Sequence, residues 1–516
     1  MNFSPEQEAI FDWFKTGTGN LVIKARAGVG KTFTLTNAFQ HAPEPRILYG
    51  VFNKRNQVEA EGKIKDHRVD VKTWHAVGYA AIRGAWRGVR PDAEVEADRL
   101  DQIENLAPWP IERGLVLKLV GFAKNTFINP TRDDMEELCA ERDIEFEAID
   151  GIALAMKCLE AAKVRDPLGR ISFDDMVWLP VALNLVRPIY DFVAGDEAQD
   201  LSVPQLAMIS RIAKGRIVVV GDDRQMIYSF RGCHPDGIAM MKSTLRAQEL
   251  KLTTTFRCPH SVVSLAQEIV PDFNAHESNK QGEVLHVQDC DEAKPGDAIL
   301  SRLNAPLMPL ALSLLRRGVP ARIEGRDIGR QLIGMVRSQK AKSVPHFFEK
   351  VSGWFEKQVK RIGKSKDADK KLSQSRDIRE TLEAVAEGCK NVSEIEARIT
   401  SLFHDSSEGL TPAVVLSSVH KAKGLEWKRV FLLTETFRRG KGIEEENIYY
   451  VAITRSMESL FLVNPKADKT LPSVNVESSK TPANDDIPAI ETLPSVKVCK
   501  AATTAEILGF ANAENL

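Results

Sequence analysis

Residues 25–35, ARAGVGKTFTL, follow the apolar run Leu21-Val22-Ile23 and decide how the rest of the chain is read. An apolar run, two glycines in a short loop and Lys-Thr ahead of a helical stretch describe a strand, a tight turn and a helix. In that arrangement the loop N–H groups and the helix N-terminus converge on one anion. Gly28 and Gly30 supply the turn, Lys31 is placed to reach the β and γ phosphates of a nucleotide, and Thr32 to ligate Mg²⁺. Ala25, Arg26, Ala27 and Val29 complete the loop, with Ala25 standing where the usual pattern has glycine. The plain alternative is a glycine turn with no ligand.

Working outward, short apolar runs recur before turn residues: LVIKA, RILYGVF, YDFVAGDEAQD and GRIVVVGDD, then DAILSRLN, AVVLSSVH, RVFLLTE and SLFLVN. Runs without alternation are the mark of parallel strands buried on both faces. Stretches with helical spacing separate them, so the class is α/β. The runs form two groups, each interrupted by a strand-poor helical stretch. Residues 1–86 and 171–250 are read as one parallel-sheet domain with a helical insertion at 87–170; residues 251–325 and 409–463 as a second, with a small basic helical insertion at 326–408.

A chain of 516 residues, 43% hydrophobic and 27% charged, is long enough for several cores and typical of soluble protein. Seven irregularly spaced cysteines argue for reduced thiols, and MNFSPEQEAI carries no signal-peptide pattern, so a cytoplasmic setting with no membrane contact is expected. A net charge of −1 means that any polyanion must be held by local basic surface. Such a surface is present from Arg337 to Arg379, with 13 Lys/Arg against five Asp/Glu; a solvated helical face is its ordinary reading. Residues 464–516 lose periodicity and read as a disordered tail. TLPSV occurs twice in it, at Thr470–Val474 and Thr492–Val496, either as a docking peptide for a protein partner or as a chance duplication.

Two acidic turns end apolar runs. In GDEAQD, Asp196 suits a Mg²⁺ ligand and Glu197 a proton acceptor for attacking water. In GDDRQ, Gln225 is placed to orient that water or sense the γ phosphate. Cys233-His234 and Cys258-x-His260 offer four zinc-type ligands, but the spacing within each pair is too tight for a usual finger.

Taken in order, these segments resemble the motifs of UvrD/Rep-type superfamily 1A DNA helicases, over residues 4–455. The resemblance implies two RecA-like lobes, each interrupted by a helical insertion, with ATP and Mg²⁺ as cofactors. It implies that Gln7 of SPEQEAI reads adenine, that Phe256 of LTTTFRCP stacks on it where the family generally has tyrosine, and that Glu426 of SSVHKAKGLEWKRV faces the ribose. Arg257 and Arg455, the latter from YYVAITRS, would act as arginines on the γ phosphate, and Gln199 would couple the lobes. DNA contacts are implied for Phe52, Asn53 and Lys54, for Thr73 and His75, for Phe230 and Arg231 of GDDRQMIYSFRG, and for His420 and Lys421. The second insertion is shorter than in large UvrD types.

On this resemblance ATP closes the two lobes, hydrolysis releases them, and aromatic stacking passes a single strand from one lobe to the other. Stacking is worth about 1–3 kcal/mol per base and tolerates any sequence, which suits a motor. The expected activity is ATP-dependent movement on single-stranded DNA, 3′ to 5′, with unwinding of tailed duplexes. The alternative is a single-strand translocase that strips bound protein without unwinding. An RNA track stays open as well, since no residue here reads a 2′-hydroxyl.

Overall fold

The computed structural model describes residues 3–227, 237–362, 368–404 and 412–464, and the chain divides into two compact units at Thr253–Thr254. Phe230, Arg231, Cys233, His234 and the tail from residue 465, with both TLPSV copies, lie outside the described residues.

In the first unit the strands Leu21–Ala25, Ile47–Val51, Val69–Thr73, Tyr190–Gly195, Ala213–Gly221 and Gln248–Leu252 form one sheet. Its order is Val69–Thr73, Ile47–Val51, Tyr190–Gly195, Ala213–Gly221, Leu21–Ala25, Gln248–Leu252, and every pairing is parallel. Successive residues of the inner strands feed two different cores. Leu21, Ile23, Phe192, Ala194, Val218 and Val220 enter one, while Val22, Val193, Ile217 and Val219 enter the other. Burial on both faces is why these segments read as continuous apolar runs. The two edge strands, VDVKT and QELKL, carry polar residues and do not stand out by that criterion.

Two glycines set the spacing of the layer against this sheet. A Cβ on Gly50 would lie 2.0 Å from Cζ2 of Trp74, so the fully buried indole packs directly on the backbone of the strand. A Cβ on Gly78 would lie 1.9 Å from the carbonyl oxygen of Met176, which fixes the approach of helix Trp74–Ala85 to helix Asp175–Ala182.

Four helices, Val95–Ile103, Pro110–Thr126, Arg132–Arg142 and Gly151–Ala162, lie between the two-residue parallel strands Arg90–Pro91 and Arg170–Ile171. They build a core of their own around Leu100, Val120, Leu138 and Leu159, completed by Ile82 and Trp178. Beside it Lys124, fully buried, stands 2.7 Å from Asp175 and also pairs with Glu96, while Arg99 stands 2.8 Å from Asp175. Burial opposes ionisation of Asp175, yet Lys124 and Arg99 outweigh it and hold the carboxyl below its usual range.

The second unit carries a seven-stranded parallel sheet in the order Glu283–Val287, Ser456–Val463, Trp427–Leu433, Ala298–Ser301, Val414–Ser418, Ala321–Glu324, Phe403–His404. Helices Arg326–Ser338, Val344–Ile362, Ala368–Ala386 and Val392–Leu402 separate Ala321–Glu324 from Phe403–His404. Their inner residues, among them Val336, Phe347, Val351, Leu382 and Ile399, share a single core with Ile299, Ile323, Leu416 and Phe431 of the sheet. Lys350, Lys357 and Lys360 lie exposed on helix Val344–Ile362 while Phe347 and Val351 are buried, an amphipathic division that accounts for part of the basic run as a solvated face. No helix among the described residues is long and apolar enough to cross a membrane, and the described cysteines carry free thiols.

Gly78→Ala is expected to drive a methyl into the Met176 carbonyl and to destabilise the first unit by about 1–3 kcal/mol, read as a lowered midpoint in urea with an unchanged slope.

Candidate functional site: a phosphate cradle and a paired-arginine site

Strand Leu21–Ala25 leads through a loop in which Gly28 (φ 67°) and Gly30 (φ 76°) are both left-handed, a conformation that a side chain would strain. Gly30 then caps helix Lys31–Ala38 with no side-chain hydrogen bond, so the first turn keeps its N–H groups for an anion. Lys31 lies at that turn, its ammonium 2.6 Å from Oε2 of Glu197. Burial alone would lower its pKa, but Glu197 and Asp196 more than compensate and raise it.

Asp196 and Glu197 follow strand Tyr190–Gly195, two places from Leu21–Ala25 in the sheet with Ala213–Gly221 between them. The Asp196 carboxylate accepts the Tyr49 hydroxyl at 2.8 Å and the Glu197 amide at 2.8 Å. Desolvation, then the charge of Glu197, push Asp196 up to about 6. Thr32 lies close to the same hydroxyl, which brings the two expected metal ligands near one phenol. Burial and the neighbouring Asp196 raise the Tyr49 hydroxyl well above its ordinary value, so it remains a donor. Glu197 itself sits at φ 51°, a strained position for a non-glycine residue and a common feature of working sites.

Gln199 joins this turn to the next. Its Nε2 donates to Glu197 at 2.6 Å, and its Oε1 accepts the amide of Asp222 at 3.0 Å. Asp222 in turn accepts Nε2 of Gln225 at 2.7 Å. Arg26 returns the chain of contacts to the phosphate loop, reaching Asp222 at 3.2 Å and Asp223 at 2.7 Å. Lys31, Thr32, Asp196, Glu197, Gln199 and Gln225 thus belong to one connected cluster. Tyr49 and Asp222 are members that motif reading passed over. Tyr49 lies mid-strand and Asp222 just past a strand end, and it is the sheet order, with both strands adjoining Tyr190–Gly195, that brings them into the cluster.

Gln7 closes a capping box with Ser4 and donates to Thr34 Oγ1 at 3.0 Å, a local duty beside the adenine contact expected of it. The pattern SPEQ carried that signal. Asn53 and Thr73 likewise cap helices Lys54–Lys63 and Trp74–Ala85 through Asn56 and Ala76, and Lys54 donates to Gln57. Phe52 is partly buried against the core. With His75, Phe122, Asn125 and Asp174 it lines a cleft of about 340 Å³ between the sheet layer and the inserted helices. Burial lowers the pKa of His75, leaving its ring neutral at physiological pH.

In the second unit Phe256 is exposed and its ring lies tilted by 35° against His276, ring centres 4.7 Å apart. Arg257 pairs with Glu426 at 3.0 Å, so the carboxylate expected at the ribose is engaged by a guanidinium. Arg455 is buried, donating to the carbonyls of Val451 at 2.9 Å and Leu425 at 3.3 Å and to the Thr454 hydroxyl at 3.2 Å. Burial first and the adjacent Arg257 second push Arg455 down to about 9. Two neighbouring cations face one carboxylate, and Nε and Nη2 of Arg257 are buried with no hydrogen-bond partner among the described residues. Those features suit an incoming phosphate. His420 and Lys421 lie on the short helix Val419–Ala422 after strand Val414–Ser418. The Cys258 thiol is buried and donates to the Thr454 carbonyl, a core role.

Family models match both units: the UvrD/REP helicase N-terminal domain over residues 4–246 and the UvrD-like helicase C-terminal domain over residues 330–466. F-box DNA helicase protein 1 of Schizosaccharomyces pombe is 25% identical over 86% of this chain and 55% of its own length. ATP-dependent DNA helicase UvrD2 of Mycobacterium tuberculosis is 24% identical over 86% of this chain and 76% of its own length. For the ATP-dependent DNA helicase Rep of Escherichia coli the figures are 25%, 54% and 45%. The chain therefore spans little more than half of the first of these relatives and less than half of the last. An arterivirus helicase bound to DNA overlays 89% of this chain and 63% of its own at a TM-score of 0.33 and 12% identity, too loose a likeness to bear on function. With both halves of the family pattern matched in order, and with the phosphate loop, acidic turns and parallel sheets in place, the chain belongs to the UvrD/Rep helicase family.

Proposed function

We propose that the chain is an ATP-hydrolysing motor that moves on single-stranded DNA, 3′ to 5′, and unwinds tailed duplexes. The observation that carries the reading is the 2.6 Å pair between Lys31 and Glu197 inside a glycine cradle. A nucleotide's phosphates compete with Glu197 for the Lys31 ammonium. As Lys31 turns to the phosphates, the Glu197 carboxylate is released to accept a proton from water, so that substrate binding itself prepares the base. Gln225, held by Asp222, is assigned to orient that water. Thr32 and Asp196 offer hard oxygen donors fitted to Mg²⁺, and the desolvated, elevated carboxyl of Asp196 favours a divalent cation beside it. Bound there, Mg²⁺ would supply charge neutralisation for the β and γ oxygens.

Arg257 and Arg455 are assigned to the charge that develops on the γ phosphate, and Phe256 to the face of the base. Arg455 would have to leave the carbonyls of Val451 and Leu425 to reach a phosphate, which ties its use to a rearrangement around helix Ile443–Ile453. Phe52 and His75 are assigned to the single strand, with the adjoining cleft open to a base. DNA repair and DNA replication are the settings proposed for this motor. The domain bounds given by the sequence are kept as the proposed lobes and insertions.

Lys31→Ala is expected to lower ATP turnover by roughly 10²-fold or more while leaving single-strand affinity unchanged; normal turnover would remove the assignment. On forked DNA, strand separation that needs a 3′ tail supports the proposed helicase, whereas ATP turnover stimulated by single strands without separation supports protein stripping instead. Glu426→Gln leaves adjacent guanidiniums without their carboxylate. It should lower thermal stability by on the order of 1 kcal/mol, recoverable with sulfate, the half-exposed Glu426 making the loss modest.

A further inference from the structure

Arg26 occupies the second position of the phosphate loop, yet its side chain points along the sheet to the neighbouring acidic turn. Strand Leu21–Ala25 pairs in parallel with Ala213–Gly221, Lys24 beside Gly221, so Ala25-Arg26 emerge level with Asp222-Asp223. The Arg26 guanidinium lies 3.2 Å from Asp222 and 2.7 Å from Asp223, and the Asp222 side chain has no exposure. Asp222 also accepts the Gln225 amide at 2.7 Å and the Arg224 N–H at 3.1 Å. Its own N–H is held by Gln199, whose other end grips Glu197.

We propose that Arg26 is a positioning residue for hydrolysis: by pairing with Asp222 and fixing its carboxylate in place, it sets the orientation of Gln225 independently of Lys31. The inference rests on the nucleotide-hydrolysing reading above and deepens it. Within the cluster two cations of the phosphate loop face the two acidic turns. Lys31 is the one that a polyphosphate draws away from its carboxylate, and Arg26 the one that stays. Burial already raises the pKa of Asp222 with Arg26 beside it; without Arg26 only Lys31 and the Gln225 amide would oppose burial and Asp223, and the protonated form would be favoured further. A protonated Asp222 is a poorer acceptor for the Gln225 amide, and the water-orienting group loses its anchor.

The test uses the full chain with single-stranded DNA and Mg-ATP. Arg26→Ala should lower kcat by roughly 10-fold or more while KM for ATP and the affinity for Mg-ADP change little, because the loop backbone and Lys31 remain. Arg26→Lys, which keeps the charge, should recover a substantial part of kcat. The double variant Arg26→Ala/Asp222→Asn removes both members of the pair; it should melt close to the wild type and still turn over slowly. Parallel loss of kcat and ADP affinity, absence of lysine rescue, or full activity of the double variant would overturn the proposal. If the wild type itself hydrolyses no ATP, it is the underlying reading that fails and not the role of Arg26 alone.

Discussion

The 2.6 Å ion pair between Lys31 and Glu197 constrains everything around it. It requires two strand ends, two places apart in the first sheet, to finish at the same level, which the parallel register provides. It requires a helix to begin at Lys31 with its N–H groups unspent, which the left-handed Gly28 and Gly30 provide. It also forces several charges into little solvent: Lys31, Asp196, Glu197, Asp222 and Arg26 are all wholly or largely withdrawn from water. Such a cluster costs desolvation energy in the resting protein, and the elevated Asp196 carboxyl is its signature. On the proposed function, a substrate made of phosphates and a divalent cation would relieve that unfavourable balance.

The second unit presents the complementary problem. Arg257 and Arg455 repel each other, Glu426 answers one of them, and backbone carbonyls solvate the other. One site thus gathers carboxylates around a single lysine, and the other gathers guanidiniums around a single carboxylate. Each is unsatisfied in the sense that an anionic, metal-bound ligand would correct.

The sequence made the inner strands and the phosphate loop legible because both depend on local composition. A strand buried on two faces must be apolar throughout, and the runs at 21–25, 190–195, 213–221, 414–418 and 427–433 are strands. Edge and near-edge strands were not legible: VDVKT, QELKL, EVLHV and ARIE keep polar residues because one side meets solvent or a thin layer. Within the site, Lys31, Asp196 and Glu197 could be named from their motifs. Tyr49 could not, since nothing local distinguishes a strand tyrosine facing a carboxylate from one in a core. The role of Arg26 was not legible either, because its partners are nearly two hundred positions away. Gln7, Asn53 and Thr73 show the opposite effect: residues named for ligand or DNA contacts also serve as helix caps, a short-range duty written in the same few letters.

The two helical insertions are not equivalent pieces of architecture. The first surrounds a hydrophobic centre built largely from its own helices, whereas the second has none apart from the sheet, its Phe347, Val351 and Leu382 resting against Ile323 and Leu416. It also returns to the sheet through Phe403–His404. Excising the first would expose one seam, while excising the second would strip a face of the sheet and orphan its border strand. Variation in length or sequence is therefore far easier for lineages to accommodate at the first site, and any grafting of foreign modules onto this scaffold belongs there.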